Sequence, residues 1–211
     1  MYGKTMLVYG VISPHPPIII PEIGGSEIKK VTSTVLALKT AATDLAKAKP
    51  DKIVIISPHT EHGFGVPLYY LGKGLDKNIP IEEILVTEYS YDYYFNLGKE
   101  YGKKINSSKE RVTVIASGDL SHVLLNDGPY GFNPAGPKLD KTIVDAVTNK
   151  KVESLLNIDI NILENGAECG LRSILFLFGV FSGKKYSTRV LSYEGPFGVG
   201  YMVAEFIPEQ L

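Results

Sequence analysis

Short apolar runs that stop at proline or glycine are the feature that most limits how this chain can fold. Three of them, at residues 5–12, 52–56 and 111–116, are rich in valine and isoleucine and have the length of strands. The first is followed by three prolines within four residues, and proline cannot donate a hydrogen bond to a sheet. Because continuous apolar strands are typical of parallel sheets covered by helices, the runs predict an α/β protein.

Helical periodicity occupies much of the chain between these runs. After Ser26, which can cap a helix, apolar residues recur at spacings of three and four up to Leu45, and Pro50 ends the pattern near Lys49. Residues 66–71 are expected to form another strand. Further helices are expected at residues 88–104, 139–147, 152–156 and 168–181, the last apolar nearly all round and therefore buried.

The last two apolar runs, residues 186–193 and 199–206, are joined by the short sequence EGPFG, which favours an antiparallel hairpin. The sheet should therefore be mixed. Strands alternating with helices predict a three-layer α/β/α sandwich with a central, mostly parallel, mixed sheet. With 211 residues and no low-complexity linker, we expect a single domain over residues 1–211.

Composition and charge limit the classes of binding partner and the cellular location that we expect for this protein. The net charge of -1 offers no basic excess for binding nucleic acid. The longest apolar stretches are too short to cross a bilayer, and the N-terminus lacks a signal-peptide pattern, so we expect a cytoplasmic protein that is not bound to a membrane. Cys169 is the only cysteine, which rules out an intramolecular disulfide and a zinc cage of several thiolates.

The four histidines point most directly to a function. His15, His59 and His122 each follow a predicted strand, and His62 comes shortly after His59. Ligands bind beyond the carboxyl ends of strands in open α/β sheets, so we expect these imidazoles to converge. Imidazole suits divalent iron, zinc, copper and nickel, and the sequence therefore predicts that His15 and His59 hold one metal ion. Any one histidine taken alone could equally be a loop residue hydrogen-bonded at a strand end.

The third ligand is expected in the sequence NGAECGLRS, residues 165–173, which places Glu168 and Cys169 in the first turn of the buried helix. Two histidines with Glu168 would suit non-haem ferrous iron. Two histidines with Cys169 would suit a softer ion, such as copper or zinc. The residues themselves leave both open.

Three further residues are candidates for the chemistry around the metal. His122 is expected to act as general acid or base, because an imidazole titrates near neutral pH. Asp119 could orient His122, contact the substrate or be a plain turn residue. His62 could hydrogen-bond the substrate or support a metal ligand.

Several motifs together resemble the LigB-like superfamily, and the likeness spans nearly the whole chain. They are SPHPP near the start, SPH after the second run, SGDLSH followed by DGPYGFNPAGP, ECGLRS, and the closing YEGPFGVGY. The superfamily contains the catalytic subunits of class III extradiol ring-cleaving dioxygenases and the Memo-like proteins of the AmmeMemoRadiSam system. In the dioxygenases, two histidines and a glutamate bind ferrous iron, and another histidine acts as acid/base during catechol cleavage.

This resemblance implies roles for individual residues. His15 and His59 match the histidine ligands, His122 matches the acid/base, and Glu168 is the carboxylate candidate. In Memo-like proteins a cysteine of an ICGR-type motif lies near the third ligand, and Cys169 in ECGLR resembles it.

The resemblance leads us to expect an oxidoreductase of the extradiol dioxygenase type, which uses ferrous iron, a small catechol-type aromatic substrate and dioxygen. One alternative is a Memo-like metal-binding protein without ring-cleaving activity, acting with AmmeMemoRadiSam partner proteins. Another is a zinc-dependent hydrolase that uses a metal-bound water. The tyrosine-rich middle of the chain would permit a homo-oligomer.

Overall fold

The structure is a computed structural model that describes residues 6–209, and in that range the strands form one six-stranded mixed sheet. The strands are β1 (Leu7–Ser13), β2 (Lys52–Ser57), β3 (Ile81–Leu85), β4 (Val112–Ser117), β5 (Tyr186–Glu194) and β6 (Tyr201–Pro208). Their order is β3-β2-β4-β1-β6-β5. The first four are parallel, whereas β6 is antiparallel to both β1 and β5, which confirms the predicted mixed sheet and the closing hairpin.

Helices cover both faces of this sheet. They are α1 (Pro21–Gly24), α2 (Thr32–Ala48), α3 (His62–Leu71), α4 (Tyr91–Ser107), α5 (Ala135–Asn149), α6 (Val152–Leu156), α7 (Ile160–Gly166) and α8 (Leu171–Phe181), with 3-10 turns at Pro17–Ile19 and Gly25–Val31. Helices α2 and α3 pack on one face, and α4 to α8 pack on the other. The predicted layered α/β fold is therefore correct. Among the described residues, no helix combines the length and apolar character needed to span a bilayer.

Side chains of the central strands alternate between the two cores. In β2, Val54 and Ile56 join the core under α8, while Ile53 and Ile55 join the core under α2. A strand covered on both faces must be apolar at every position, which explains its uninterrupted run. Each such side chain contributes about 1.5–3 kcal/mol when fully buried.

The strand predicted at residues 66–71 is wrong, because these residues form the second half of α3. Their buried side chains include Val66 and Tyr70, four residues apart on one side of a helix. A short apolar run cannot be assigned from periodicity alone. The strand that was missed is β3, an edge strand whose sequence IEEIL carries two glutamates and is only half buried.

The predicted helix at residues 26–49 begins later than expected. Gly25–Val31 is a 3-10 turn and α2 starts at Thr32, so Ser26 does not cap it. Instead, the carboxylate of Glu194 in β5 accepts hydrogen bonds from the backbone N and Oγ1 of Thr34, at 2.7 and 2.6 Å. Glu194, which is distant in the sequence, thus supplies a hydrogen-bond acceptor to the first turn of α2. Local sequence could not reveal this contact. The helix ends at Ala48, one residue before the predicted end near Lys49.

The start of the buried helix also differs from the prediction. Helix α8 begins at Leu171, so Glu168 and Cys169 precede its first turn. The reason is that α7, which was not predicted, ends at Gly166 and is followed by Ala167 in the left-handed conformation. Residues 167–170 form an irregular, bent segment before α8 begins.

Candidate metal centre

Three neighbouring parallel strands end at the same edge of the sheet, next to the candidate site. β2, β4 and β1 lie side by side and end at Ser57, Ser117 and Ser13, all buried. Ser13 and Ser117 lie directly opposite each other. The loops that follow these strands carry the histidines, so the expected convergence has a simple topological cause.

Three histidine rings meet above this edge. The ring centroids of His15 and His59 are 5.2 Å apart, those of His15 and His62 are 5.3 Å apart, and those of His59 and His62 are 5.1 Å apart. His15 is buried, whereas His59 is exposed. Burial, followed by the other histidines, lowers the pKa of His15 to about 3, so its ring is neutral at physiological pH. A neutral imidazole has a lone pair free to bind a metal.

A thiol completes the cluster. The ligand atoms of His15, His59 and Cys169 all lie within 4.8 Å of one another. Bonds from zinc to nitrogen or sulfur are about 2.0–2.3 Å long, so donors at this separation can surround one ion after small shifts. Burial raises the pKa of Cys169 well above its ordinary value, and a bound cation would reverse this by stabilising the thiolate. The set of two imidazoles and one thiol fits a divalent transition metal.

Glu168 stands apart from this cluster. Its Oε1 accepts a hydrogen bond from the hydroxyl of Tyr91 at 3.1 Å, and its Oε2 accepts one from the backbone N of Leu171 at 2.5 Å. Glu168 is in neither group of potential metal ligands found among residues 6–209. In this arrangement the carboxylate holds the first turn of α8. The structure thus brings together His15, His59 and Cys169 and leaves Glu168 beside them.

Two glycines allow the cysteine to reach the site. Gly118, just after β4, packs against Gly170, and a side chain on Gly118 would overlap the backbone of Gly170. The close approach lets the carbonyl of Asp119 accept hydrogen bonds from the backbone N of Cys169 and Gly170, at 3.3 and 2.9 Å. The backbone N of Asp119 in turn donates to Sγ of Cys169 at 3.3 Å. The glycines in SGD and ECG were the available sequence signal, and the prediction did not use them.

The carboxylate of Asp119 contacts His15. Its Oδ1 accepts a hydrogen bond from the backbone N of His15 at 3.0 Å, and its Oδ2 lies 3.9 Å from Nε2 of the same residue. Burial raises the pKa of Asp119 to about 7. Asp119 also belongs to a second group with His122 and Cys169, whose ligand atoms lie within 4.8 Å of one another.

The buried ring nitrogen Nε2 of His122 has no hydrogen-bond partner among residues 6–209. Its backbone N donates to the carbonyl of Ala167 at 3.0 Å, and its ring lies 5.4 Å from the exposed ring of Tyr130, tilted by 31°. Burial lowers the pKa of His122. A buried polar atom without a partner costs free energy, so a ligand that supplied one would be bound favourably.

The loop that carries His122 is fixed from below by a carboxylate that the sequence did not single out. Oδ1 of Asp140, in α5, accepts a hydrogen bond from the backbone N of Ser121 at 2.7 Å. Its Oδ2 accepts one from the hydroxyl of Tyr193, also at 2.7 Å. On the other side, the backbone N of Gly200 donates to the carbonyl of Ser121 at 2.8 Å. Asp140 is almost fully buried, so these contacts are shielded from water.

Comparison with known proteins agrees with this architecture. A curated protein of Clostridium acetobutylicum, Protein CA_C1420, is 31% identical across 90% of this chain. The chain spans about half the length of that relative, since the match covers 55% of it. The crystal structure of uncharacterized protein JW3007 from Escherichia coli K12 has a TM-score of 0.55 at 13% identity, covering 95% of this chain and 99% of that chain, which indicates a shared fold.

A family model gives the decisive match. Residues 60–204, more than half of the chain, match the model described as the catalytic LigB subunit of aromatic ring-opening dioxygenase. This matched segment contains His62, Asp119, His122 and the ECG motif, and it begins directly after His59. The resemblance expected from the motifs is therefore confirmed, and the chain belongs to the LigB family of aromatic ring-opening dioxygenase catalytic subunits.

Proposed function

We propose that this protein is a metal-dependent oxidoreductase that opens the ring of a catechol-type aromatic with dioxygen, as class III extradiol dioxygenases do. The observation that carries the proposal is the meeting of His15, His59 and Cys169 at the carboxyl edge of the sheet. His122, whose buried Nε2 has no partner among the described residues, lies in a second group that shares Cys169. Membership of the LigB family supports the choice of reaction.

His15 and His59 would hold the metal, with Cys169 as the third ligand in the arrangement described. For Glu168 to replace the cysteine, its carboxylate would have to leave the hydroxyl of Tyr91 and the backbone N of Leu171. When bound, a ferrous ion supplies Lewis acidity and open positions for the substrate and dioxygen. Zinc or copper would suit the cysteine-containing set, and element analysis of freshly purified protein would identify the ion.

The remaining residues of the site would manage protons and orientation. His122 would accept a proton from a catechol hydroxyl at Nε2 and return it to the ring-opened product. Asp119 would hold the backbone of His15, and His62 would hydrogen-bond the substrate beside the two ligand rings. One ring carbon–carbon bond breaks and both atoms of dioxygen enter the product, so the reaction balances without an external reductant.

Oxygen uptake tests this proposal. Protein reconstituted anaerobically with ferrous iron would be offered a panel of catechols in oxygenated buffer. We expect His122→Ala to lower the rate by about 10²–10⁴-fold, the usual contribution of a general acid or base. Its iron content should equal that of the wild type, which separates proton transfer from metal binding. If the wild type consumes no more oxygen than His122→Ala on every catechol, ring opening is the wrong reaction.

The position of Cys169 favours a second candidate function, a Memo-like metal-binding protein without ring-cleaving activity. In this case the metal would depend on the thiol and not on Glu168. The discriminating experiment measures metal content and affinity for Cys169→Ala and Glu168→Ala separately. Loss only in Cys169→Ala, together with no catechol-dependent oxygen uptake by the wild type, supports this second function. Loss only in Glu168→Ala supports the ferrous site of the extradiol enzymes.

A further inference from the structure

Ser117, the last residue of β4, is completely buried and contacts one of the proposed metal ligands from behind. Its Oγ lies 2.9 Å from Nδ1 of His15 and 2.5 Å from the carbonyl oxygen of Gly63. The two contacts connect three segments that are far apart in the sequence. Nε2 of His15, the other ring nitrogen, lies on the opposite side, 3.6 Å from Sγ of Cys169.

The carbonyl of Gly63 has a reason to take a hydrogen bond from outside its own helix. In α3, this carbonyl would normally accept from the backbone N–H four residues later, but that residue is Pro67, which has none. A proline inside a helix also presses against the carbonyl four residues earlier and turns it outward. The hydroxyl of Ser117 supplies the donor that Pro67 cannot.

These two hydrogen bonds determine which ring nitrogen of His15 carries the hydrogen. A serine hydroxyl has one hydrogen, and a carbonyl oxygen can only accept, so the hydrogen of Ser117 points to Gly63. The lone pairs of Oγ then face Nδ1 of His15, which must be the donor in that contact. A neutral imidazole carries hydrogen on only one nitrogen, and Nε2 is therefore left with its lone pair toward Cys169.

We propose that Ser117 is a positioning residue that fixes the tautomer of His15 and holds Nε2 ready to bind the metal. The inference deepens the proposed function and rests on it, because the role of His15 as a ligand is itself a proposal. Partners behind a metal-binding histidine orient the ring, and losing one costs about 10–100-fold in metal affinity. Ser117 would therefore act through His15, without contacting the metal.

The chain offers a closely matched control in Ser13. It is as deeply buried as Ser117, ends the neighbouring strand β1 and lies directly opposite Ser117 in the sheet. Its Oγ donates to the carbonyl of Pro14 at 3.0 Å and, within the described part of the chain, is hydrogen-bonded to no imidazole. Ser13→Ala thus removes an equally buried hydroxyl at the same edge of the sheet and should leave the tautomer of His15 unchanged.

The first experiment reads the tautomer directly in metal-free protein, by long-range ¹H–¹⁵N NMR correlation of the histidine ring nitrogens. We expect His15 of the wild type and of Ser13→Ala to be protonated at Nδ1 only. In Ser117→Ala, a substantial Nε2–H population should appear. Protonation of Nε2 in the wild type would overturn the inference, even if the Ser117 variant failed to fold.

The second experiment measures affinity for Zn²⁺, and for Fe²⁺ under nitrogen, by competition with a chromophoric chelator. Ser117→Ala should bind each ion about 10–100-fold more weakly. Ser13→Ala should match the wild type, and Ser117→Thr, which keeps a hydroxyl, should recover most of the loss. Equal affinity in Ser117→Ala and Ser13→Ala would refute the role of Ser117. If the wild type bound neither ion, the proposal of a metal centre would be refuted. The NMR experiment would still show which nitrogen of His15 is protonated.

Discussion

Replacing Asp140 with asparagine should change how the stability of this protein depends on pH. The carboxylate is buried between α5 and the loop that carries His122, and burial raises its pKa from 3.8 to about 6. Asparagine has nearly the same shape and can keep both contacts. Its amide oxygen can accept from the backbone N of Ser121, and its amide nitrogen can donate to the hydroxyl of Tyr193.

The magnitude follows from the shift in pKa. Below pH 3.8 the carboxyl is protonated in both the folded and unfolded chains, and burial costs nothing extra. Between pH 3.8 and about 6 the folded state binds more protons than the unfolded state, so the free energy of unfolding falls as pH rises. Above pH 6 the free energy of unfolding falls no further from this cause. A shift of about 2 units corresponds to about 3 kcal/mol.

Urea unfolding of the metal-free wild type and Asp140→Asn, measured at several pH values from 3.5 to 8, would test this. The stability of the variant relative to the wild type should rise by about 3 kcal/mol between the two ends of that range. Because the histidines titrate in both proteins, their effects cancel in the difference.

The matched control is Asp145→Asn, on the same helix, where an exposed carboxylate pairs with Lys141. Such a surface pair contributes about 0–1 kcal/mol to stability. The free energy of unfolding of Asp145→Asn should therefore differ from that of the wild type by no more than this at every pH. If the stability of Asp140→Asn relative to the wild type did not change with pH, or fell as pH rises, the argument that burial destabilises the charged form of this side chain would be refuted.

Three further substitutions, the first with a matched control, test contacts elsewhere in the fold by urea unfolding. Gly118→Ala should destabilise the protein by about 1–3 kcal/mol because its methyl group overlaps Gly170, whereas Gly65→Ala, in open space on α3, should be neutral or slightly stabilising. Glu205→Ala should cost about 2–4 kcal/mol, since this fully buried carboxylate binds an arginine and a tyrosine; a loss below 1 kcal/mol would contradict this. Glu194→Ala should cost about 0.5–2 kcal/mol through the first turn of α2, and no measurable loss would mean that water replaces this cap.

The strands of the central sheet were predictable because each is contiguous and apolar at almost every position. β2 and β4 were located to within a residue, and β6 began two residues later than expected. The edge strand β3 was missed, since it is covered on one side only and its glutamates hide the pattern. The second half of α3 was mistaken for a strand because residues 66–71 are a short, largely apolar run, and periodicity alone does not distinguish a buried strand from a buried helix in such a run.

The site was predictable in part. Apolar runs that stop at proline or glycine and are followed by histidines were enough to expect His15, His59 and His122 at one edge, and the structure places them there. The choice between Glu168 and Cys169 could not be made from two adjacent residues. In the structure, the segment before α8 brings the thiol of Cys169 to His15 and His59 and leaves the carboxylate of Glu168 hydrogen-bonded to the backbone N of Leu171.

By itself, the sequence determined the layered α/β fold and the edge of the sheet on which its histidines lie. Both are encoded locally, by β-branched runs, helical spacing and prolines that must end a strand. Only the tertiary structure decided which donors share the cluster and how each is held. The contact between Ser117 and His15 joins residues 102 positions apart, and that between Asp119 and Cys169 joins residues 50 positions apart. Such contacts arise from the packing of strands and loops against one another, and no local pattern records them.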